Sequence, residues 1–527
     1  MKKYILIVLI PTAFILFLIH WIVPEPNETD IDDYIAKAFA TANYKIARKA
    51  CWRRIKTDFS NIEYHRDYIY ASHKSGYKRN PPLYYNSYLQ SPDSETVDLA
   101  TYALGYIKMQ EEDEAGALRL YLKVKNNKLT YLNNSIGYCY LALKDYEKAK
   151  YYLRREIKLK GYVEGALENY AKVLIQEKNI LEINRLLAHP ELGKQLNLKN
   201  KRQFYYLTGN FFSYCTTILR SHRQYIILEG IIGALLITVI WFTFFQRLAV
   251  VKPVKTKYLL QVLILSVVIS QFTYLLHDFA EMTLQLRFEG SPAEKFFYCV
   301  AVIGLMEETI KTIPFLLIFF FTKERVEPVE LIIYAAVAAL GFAFVENLAY
   351  FDNSGLSRIT GRAMTATMMH IILSAIAVYG LVLYRFKKSF RIWILVFFLS
   401  ACFLHGSYDF CLLVTRQMNG PFFIVWVCLF ILSQIIFSGI IRKTLANSKS
   451  FHTGNAAERL RKNGQLLLHN LSYVLLIQYI IISVKYGVVF ADNHLDSGMI
   501  TTYVCIFVLS ICLTRYKIKQ GDWECCH

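Results

Sequence analysis

The chain has 527 residues, of which 54% are apolar or aromatic and only 19% are charged. This composition, with 38 tyrosines and 35 phenylalanines, excludes a disordered, collagen-like or disulfide-framework protein. The net charge of +19 does not indicate nucleic-acid binding, because most basic residues after residue 226 lie in short loops between apolar segments. There they set the orientation of membrane helices. We therefore predict a protein of the lipid bilayer, with no nucleic-acid partner.

Apolar segments recur at the length that a membrane-spanning helix needs, about 20 residues. They predict an all-α, polytopic helical membrane protein with about ten spans and one soluble helical domain. The predicted spans are 4–23, 226–245, 258–281, 296–321, 329–351, 363–386, 392–414, 421–441, 466–484 and 499–516.

The positions of lysine and arginine predict the orientation of these spans, because basic loops stay in the cytoplasm. With both termini in the cytoplasm, the loops on that side and the C-terminal tail carry 19 basic residues, against six in the short outer loops. The first span lacks small residues at a cleavage position, which favours an uncleaved anchor over a signal peptide. We therefore expect a multi-pass protein of the cell membrane with residues 24–225 outside the cytoplasm.

The region 24–225 contains a repeated pattern of small residues. The sequence ALGY at 103–106 and the sequence SIGY at 135–138 are 32 residues apart, and Ala117 and Ala149 each follow twelve residues after the glycine. The pattern resembles the tetratricopeptide repeat, whose period is about 34 residues and whose small residues let two helices pack closely. We predict an extracytoplasmic, tetratricopeptide-like domain that binds a protein partner; a helical bundle without a groove is the alternative.

Ionisable residues occur in the fourth predicted span, within the sequence GLMEETIK at 304–311. A charge at the bilayer centre costs roughly 2.5–3.5 kcal/mol, so such residues should be few and functional. Lys311 lies one helical turn after both Glu307 and Glu308. Its ammonium could offset the charge of one carboxylate and leave the other as a general base. The sequence does not decide which of the two acids is the base. The alternative is an ion-pair cluster that only holds helices together.

Three later spans carry further residues that are unusual in lipid. An acid one turn from a histidine can orient its ring, as in the seventh span. The alternative to a functional role is a helix-to-helix hydrogen bond for the acid and histidine of the seventh span. For the polar residues of the fifth span, the alternative is contact of the helix end with water. The residues are Phe342, Glu346 and Asn347 in the fifth span, His370 in the sixth, and His405 and Asp409 in the seventh.

In this order, the motifs EExxK, FxxxEN and HxxxD resemble the PrsW family of intramembrane proteases, which is related to the type II CAAX-processing proteases. The resemblance covers roughly residues 258–441. It implies a glutamic-type protease without metal or other cofactor, in which the first acid activates water and the last histidine stabilises the oxyanion. The CAAX-processing relatives have a histidine where this chain has Glu346. By resemblance the catalytic residues are Glu307, Glu308, Glu346, His370 and His405, and the supporting residues are Lys311, Phe342, Asn347 and Asp409.

We therefore predict an intramembrane endopeptidase that cleaves a membrane-tethered protein near the outer face, because the site residues lie at mid-depth or outward in their spans. The alternatives are a catalytically inactive membrane scaffold and an ion- or proton-coupled transporter. The transporter relay would add Glu229, His277, Asp278 and Lys485. Zinc held by the two site histidines and a glutamate is chemically feasible, although the sequence has no HExxH motif. The predicted domains are an anchor at 1–23, the repeat-like domain at 24–225, a span and basic loop at 226–257, the protease core at 258–441, and a loop, two spans and tail at 442–527.

Overall fold

The computed structural model describes residues 18–19, 21–23, 30–224, 226–249, 254–321, 326–352, 355–415, 421–448, 456–514 and 523. These residues form helices and loops, and no β-strand occurs among them. Residues 30–224 form one compact unit, and the other described residues belong to a second. The prediction of an all-α protein with a polytopic membrane part is confirmed.

The first unit consists of short helices that follow one another through tight turns. They are α1 (Ile31–Ala40), α2 (Tyr44–Thr57), α3 (Ile62–Lys74), α4 (Asn80–Asn86), α5 (Ser94–Gln110), α6 (Glu114–Tyr121), α7 (Leu132–Ala142), α8 (Tyr146–Lys158), α9 (Val163–Glu177), α10 (Ile180–Ala188), α11 (Leu192–Gln195), α12 (Leu198–Leu207) and α13 (Phe211–Gln224).

The turns of this unit recur with a regular period. Six residues with positive φ each end the first helix of a pair, at intervals of 31 to 36 residues. In five of these turns the next residue is Asn or Asp, whose side-chain oxygen accepts a hydrogen bond from the first turn of the following helix. The unit is therefore a series of similar helix pairs. The six turn residues are Ala42, Gly76, Glu112, Lys144, Lys178 and Gly209.

The small residues noted in the sequence lie where the helices of a pair touch. A methyl group at Gly105 would come within 2.6 Å of the Tyr121 ring, and one at Gly137 within 2.5 Å of the Leu153 side chain. Ala117 and Ala149 are completely buried. Residues of small volume are thus required at these positions for the helices of pairs α5–α6 and α7–α8 to pack as closely as they do.

The second unit contains the long apolar helices, a π-helical segment at Cys299–Gly304 and a 3-10 segment at Leu356–Arg358. The helices are α14 (Leu228–Gln246), α15 (Thr256–Ile269), α16 (Phe272–Met282), α17 (Pro292–Tyr298), α18 (Leu305–Phe321), α19 (Pro328–Tyr350), α20 (Ile359–Met364), α21 (Ala366–Lys387), α22 (Ile392–Thr415), α23 (Pro421–Ala446), α24 (Ala456–Tyr486) and α25 (Val488–Thr514).

Among the described residues of this unit, seven stretches are long and apolar enough to cross a membrane. They coincide with seven of the predicted spans, although the predicted span 258–281 is two helices that meet at Ser270 and Gln271. The seven are Leu228–Gln246, Thr256–Met282, Pro328–Tyr350, Leu356–Lys387, Ile392–Val414, Phe422–Ala446 and Ala457–Tyr486.

The three other predicted spans differ from these. The predicted span 296–321 is helical but carries three charged residues, so its composition is less apolar. The predicted span 499–516 lies mainly in α25, and some of its side chains are outside the described residues. The predicted anchor 4–23 lies mostly outside them, as do Lys2, Lys3 and the basic residues of the tail used to predict orientation.

Helix α19 lies at the centre of the second unit. It contacts α14, α15, α18, α21 and α23, and 94% of its apolar 18-residue stretch is buried inside the protein. Because neighbouring helices surround it, the helix needs no polar face, and its sequence is apolar all round. The polar residues at its C-terminal end, Glu346 and Asn347, therefore meet other helices of the unit.

The backbones of two site-bearing segments touch at Gly304 and Gly406. A methyl group at Gly304 would lie 2.3 Å from the carbonyl oxygen of Cys402, and one at Gly406 would lie 2.5 Å from the Cα atom of Val300. Small residues allow this close approach of helices in membranes. It places the acids of α18 beside the histidine of α22, because Gly406 directly follows His405 in the chain.

We expect the substitution Gly406→Ala to destabilise the protein, because the added methyl group would collide with backbone atoms that cannot move aside independently. Overpacking of this kind costs about 1–3 kcal/mol. The matched control is Gly439→Ala in α23, where an added methyl group meets nothing within 4 Å. Thermal unfolding in detergent should show a lower melting temperature for Gly406→Ala only. Equal melting temperatures for the two variants would mean that the close contact is not required.

Candidate active site

A cavity of about 270 Å³ lies among the helices of the second unit. Its walls come from the α15–α16 junction, the π-helical segment, α18 to α22 and the polar side chains that these elements carry. Six of the wall residues are acids or histidines. They are His277, Glu307, Glu346, His370, His405 and Asp409.

The structure brings all nine predicted site residues together in two layers. Six of the nine line the cavity, namely Glu307, Phe342, Glu346, His370, His405 and Asp409. Glu308, Lys311 and Asn347 lie behind this wall, with exposed fractions of 0%, 1% and 1%. The second layer is thus in a position to orient the first rather than to touch a substrate.

Lys311 is the residue that joins the two layers. Its ammonium lies 2.9 Å from Glu308 Oε1, 2.8 Å from His370 Nδ1 and 3.6 Å from Glu307 Oε2. It also lies 4.4 Å from the centre of the Phe342 ring, where a cation–π interaction is favourable. The helical spacing of the EExxK motif and the phenylalanine of FxxxEN therefore both serve to surround one buried cation.

Glu308 holds three helices together. Besides the ammonium of Lys311, its carboxylate accepts hydrogen bonds from His405 Nδ1 at 2.8 Å and from Ser374 Oγ at 3.4 Å. These partners come from α18, α22 and α21. Because its lone pairs are engaged in this way and its side chain is fully buried, Glu308 faces the helix interface and not the cavity.

His405 directs one ring nitrogen at the cavity. Its Nδ1 carries the hydrogen that Glu308 accepts, because an ionised carboxylate can only accept. Its Nε2 lies 3.3 Å from Asp409 Oδ2 and 3.6 Å from Glu307 Oε2. The one-turn spacing of HxxxD thus places Asp409 beside the histidine, as predicted, while a second acid fixes the opposite side of the ring.

Glu346 and His370 form the opposite wall. The Nδ1 atom of His370 accepts from Lys311, so its Nε2 carries the hydrogen and donates to Glu346 Oε2 at 2.6 Å. Glu346 is also paired with Arg362 Nη2 at 2.8 Å. The next residue, Asn347, accepts from Arg362 Nε at 2.5 Å. Glu346 is therefore not merely a helix-end residue in contact with water.

Sequence reasoning missed two residues of the site. Arg362 was counted only as a loop charge, because it directly precedes the predicted span 363–386. His277 was assigned only to the transporter alternative, but its Nε2 atom lies 3.9 Å from Glu307 Oε1 in the cavity wall. The sequence feature that could have identified Arg362 as a site residue is a basic residue directly next to an apolar segment. For His277 it is the presence of a histidine within an apolar span.

The proposed transporter relay does not form in the described residues. Glu229 and Lys485 pair with each other at 2.7 Å, and neither lines the cavity. Asp278 is buried outside the cavity wall. Only His277 of that set reaches the cluster.

The site also contains a set of groups that could hold a metal ion. Glu307, His370 and His405 each offer one atom, and these atoms lie within 4.8 Å of one another. A carboxylate and two imidazoles are donor types that zinc takes in catalytic sites. The site contains two permanent cations, Lys311 and Arg362, against four carboxylates, so a divalent ion would reduce the excess of negative charge. The donor set thus fits a metal, and the expected absence of one stays a prediction.

Comparison with known proteins points to one family. Residues 254–435 match the sequence model of the family described as "PrsW family intramembrane metalloprotease". The chain is 34% identical over 133 residues to Protease PrsW of Geobacillus kaustophilus, which covers 24% of this chain and 56% of that relative. It is 29% identical over 182 residues to Protease PrsW of Clostridioides difficile, covering 33% of this chain and 75% of the relative.

A third relative, Protease PrsW of Bacillus subtilis, is 29% identical over 129 residues, which are 24% of this chain and 59% of the relative. The chain thus spans little more than half the length of two of these relatives. The first unit and the helices after residue 435 lie outside the match. All nine predicted site residues lie inside it, and the part of the chain that builds the polar cavity is therefore the part that matches the PrsW family.

Proposed function

We propose that the protein is an intramembrane endopeptidase in which Glu307 activates water for attack on a peptide bond. The observation that carries this proposal is the position of the Glu307 carboxylate, which faces a cavity among membrane helices with His405 Nε2 at 3.6 Å. The similarity of residues 254–435 to proteins named Protease PrsW supports it.

The hydrogen bonds of the four carboxylates favour Glu307 as the base. Glu308 has three donors, Glu346 has two partners within 2.8 Å, and Asp409 lies 3.3 Å from His405 Nε2. The nearest donors to Glu307 are at 3.6 Å or beyond. Its lone pairs are thus available to a water molecule, which a general base requires.

In the proposed reaction, Glu307 accepts a proton from water while the water oxygen attacks the scissile carbonyl carbon. The carbonyl oxygen becomes an oxyanion. His405 acts as an imidazolium, with a hydrogen on each ring nitrogen, so its Nε2–H group donates to the oxyanion while its Nδ1–H group donates to Glu308. Glu307 then returns the proton to the leaving nitrogen as the C–N bond breaks, which yields a carboxyl and an amine terminus. Asp409 and Glu308 hold the His405 ring in place throughout.

A metal ion is the alternative source of activation. If bound, it would be held by Glu307, His370 and His405, and it would polarise the carbonyl group and acidify water. Glu307 would then be a ligand instead of the base.

We further propose that cleavage occurs near the outer face of the membrane. Tyr350, Arg362 and His277 line the cavity and lie near the ends of helices that the distribution of basic residues places outside. We also propose that residues 24–225 form a tetratricopeptide-like domain that recruits the membrane-tethered substrate. The regular turns at intervals of 31 to 36 residues support this assignment.

We expect Glu307→Gln to abolish cleavage, with a rate loss well above 10²-fold, because an amide cannot accept the proton from water. The measurement is a mass-spectrometric comparison of membrane peptides in cells that carry the wild type or the variant. The control is Glu458→Gln, which changes an exposed acid of α24 that pairs with Lys462 at 2.8 Å. A fragment pattern that is the same for Glu307→Gln and wild type would refute the proposal.

The same experiment locates the cut. Fragments that accumulate only with the wild type should end in the outer juxtamembrane segment of their parent protein. Fragments that end on the cytoplasmic side would refute the outward opening of the site. Unchanged fragment yields after deletion of residues 30–215 would refute recruitment by the first unit and leave the chemistry intact.

Glu308→Gln should differ from Glu307→Gln in its effect on stability. Loss of the Glu308 charge leaves the buried ammonium of Lys311 without its closest anion, and breaking a buried ion pair costs about 3–5 kcal/mol. We therefore expect a clearly lower melting temperature in detergent for Glu308→Gln and a nearly unchanged one for Glu307→Gln. Similar melting temperatures for both variants would mean that Glu308 does not stabilise the helix interface.

Treatment with a chelator separates the two sources of activation. If Glu307 is the base, the purified protein should keep its activity after prolonged dialysis against the chelator EDTA. Loss of activity that added zinc restores would establish the metal alternative, in which Glu307, His370 and His405 are ligands. Metal analysis of the dialysed protein completes the measurement.

A further inference from the structure

The short segment at 357–363 is held by two helices that lie outside the family match. On α24, Gln478 accepts a hydrogen bond from the backbone N–H of Thr360 at 2.7 Å and donates one to the carbonyl oxygen of Ser357 at 2.9 Å. On α14, the indole N–H of Trp241 donates to the carbonyl oxygen of Ala363 at 3.1 Å. Gln478 and Trp241 are 4% and 1% exposed. These buried contacts fix the backbone of the segment on both sides of Arg362.

The segment needs such contacts because it cannot keep its conformation alone. It consists of one 3-10 turn and the six-residue helix α20. Isolated helices shorter than about 12 residues are unstable, so the position of this one depends on tertiary contacts. The bidentate contact of Gln478 with Thr360 and Ser357 acts directly on the backbone that carries Arg362.

Arg362 in turn holds the end of α19. Its Nη2 atom lies 2.8 Å from Glu346 Oε2, and its Nε atom donates to Asn347 Oδ1 at 2.5 Å. The guanidinium also lies 4.0 Å from the centre of the Tyr350 ring. The rigid fork of an arginine suits this contact with two consecutive side chains, which a lysine could not reproduce.

A continuous series of ion pairs and hydrogen bonds leads from Arg362 to the reacting groups. Glu346 accepts from His370, His370 accepts from Lys311, and Lys311 lies 3.6 Å from Glu307 Oε2. If Arg362 withdrew, the Glu346 carboxylate would lose its only cationic partner within hydrogen-bond distance among the described residues. The ring of His370 and the ammonium of Lys311 could then shift toward it.

We propose that Arg362 is a positioning residue that orients Glu346 and His370 for peptide-bond hydrolysis, and that Gln478 is a positioning residue that acts through Arg362. Helix α24 thereby becomes part of the machinery, although it lies outside the region that matches the family. This inference rests on the proposed function.

The kinetic test uses the full-length protein in phosphatidylethanolamine–phosphatidylglycerol vesicles, with a fluorescein-labelled single-span model protein as substrate. A displacement of about 1 Å can cost 10²-fold in rate, so we expect Arg362→Gln to lower kcat about 10²-fold and Gln478→Leu about tenfold, each with little change in KM. The control is Asn463→Leu, which removes another buried hydrogen bond from α24, to the carbonyl oxygen of Phe244 on α14. This control should destabilise the protein to a similar degree and leave kcat unchanged.

The double variant separates positioning from general stabilisation. If Gln478 acts through Arg362, the variant with both substitutions should have the kcat of Arg362→Gln alone, because coupled residues are not additive. Multiplied losses, or equal kcat values for Gln478→Leu and Asn463→Leu, would overturn the proposal. Inactivity of Glu307→Gln together with full activity of Gln478→Leu would overturn this inference and leave the proposed function standing.

Hydrogen exchange gives a readout that does not depend on activity. The peptide that covers residues 355–365 should exchange faster in Gln478→Leu than in the wild type, because the Thr360 amide loses its acceptor. Asn463→Leu should leave that peptide protected. Equal protection of residues 355–365 in all three proteins would overturn the inference even if the vesicles gave no cleavage.

Discussion

The ammonium of Lys311, buried among membrane helices, is the constraint on which the rest of the site depends. A cation in this environment is costly unless it is surrounded by acceptors. The structure supplies a carboxylate from its own helix, an imidazole from α21 and an aromatic face from α19. Three of the helices that wall the cavity are thus tied to one charge, and another of them, α22, is joined to the same cluster through Glu308 and His405.

This convergence requires the helices to approach more closely than large side chains would allow. The contact of Gly304 with the Cys402 carbonyl, and of Gly406 with the backbone near Val300, supplies that closeness. Polar residues then meet over short distances in a region shielded from bulk solvent, where satisfied hydrogen bonds are strong and unsatisfied polar groups are costly. Packing and electrostatics are therefore parts of the same requirement: the glycines bring the charges together, and the charges fix the helices in that arrangement.

Among four neighbouring carboxylates, the network distinguishes one. Glu308, Glu346 and Asp409 each have a close partner that fixes their orientation, whereas Glu307 has contacts only at 3.6 Å or more. Because the residue types are alike, the four acids of the site differ mainly in their hydrogen bonds and ion pairs. The same logic extends outward through Arg362 to Gln478, so that helices outside the matched region are coupled to the orientation of the inner groups.

The sequence by itself indicated seven spans and the nine residues that the structure brings together around one cavity, because hydropathy over about 20 residues and the one-turn spacing of polar residues are local properties. It did not decide that Glu308 points into the helix interface while Glu307 faces the cavity, since adjacent helical residues are distinguished only by which helices lie against each face. It also placed Arg362 in a loop and His277 in a different function. The position of His277 follows from the break between α15 and α16. The position of Arg362 follows from the hydrogen bonds of Gln478 to the segment before α21, which join residues far apart in the chain. Such contacts arise only when the helices pack, so the tertiary structure alone decided which of the predicted residues face the cavity and which lie behind its wall.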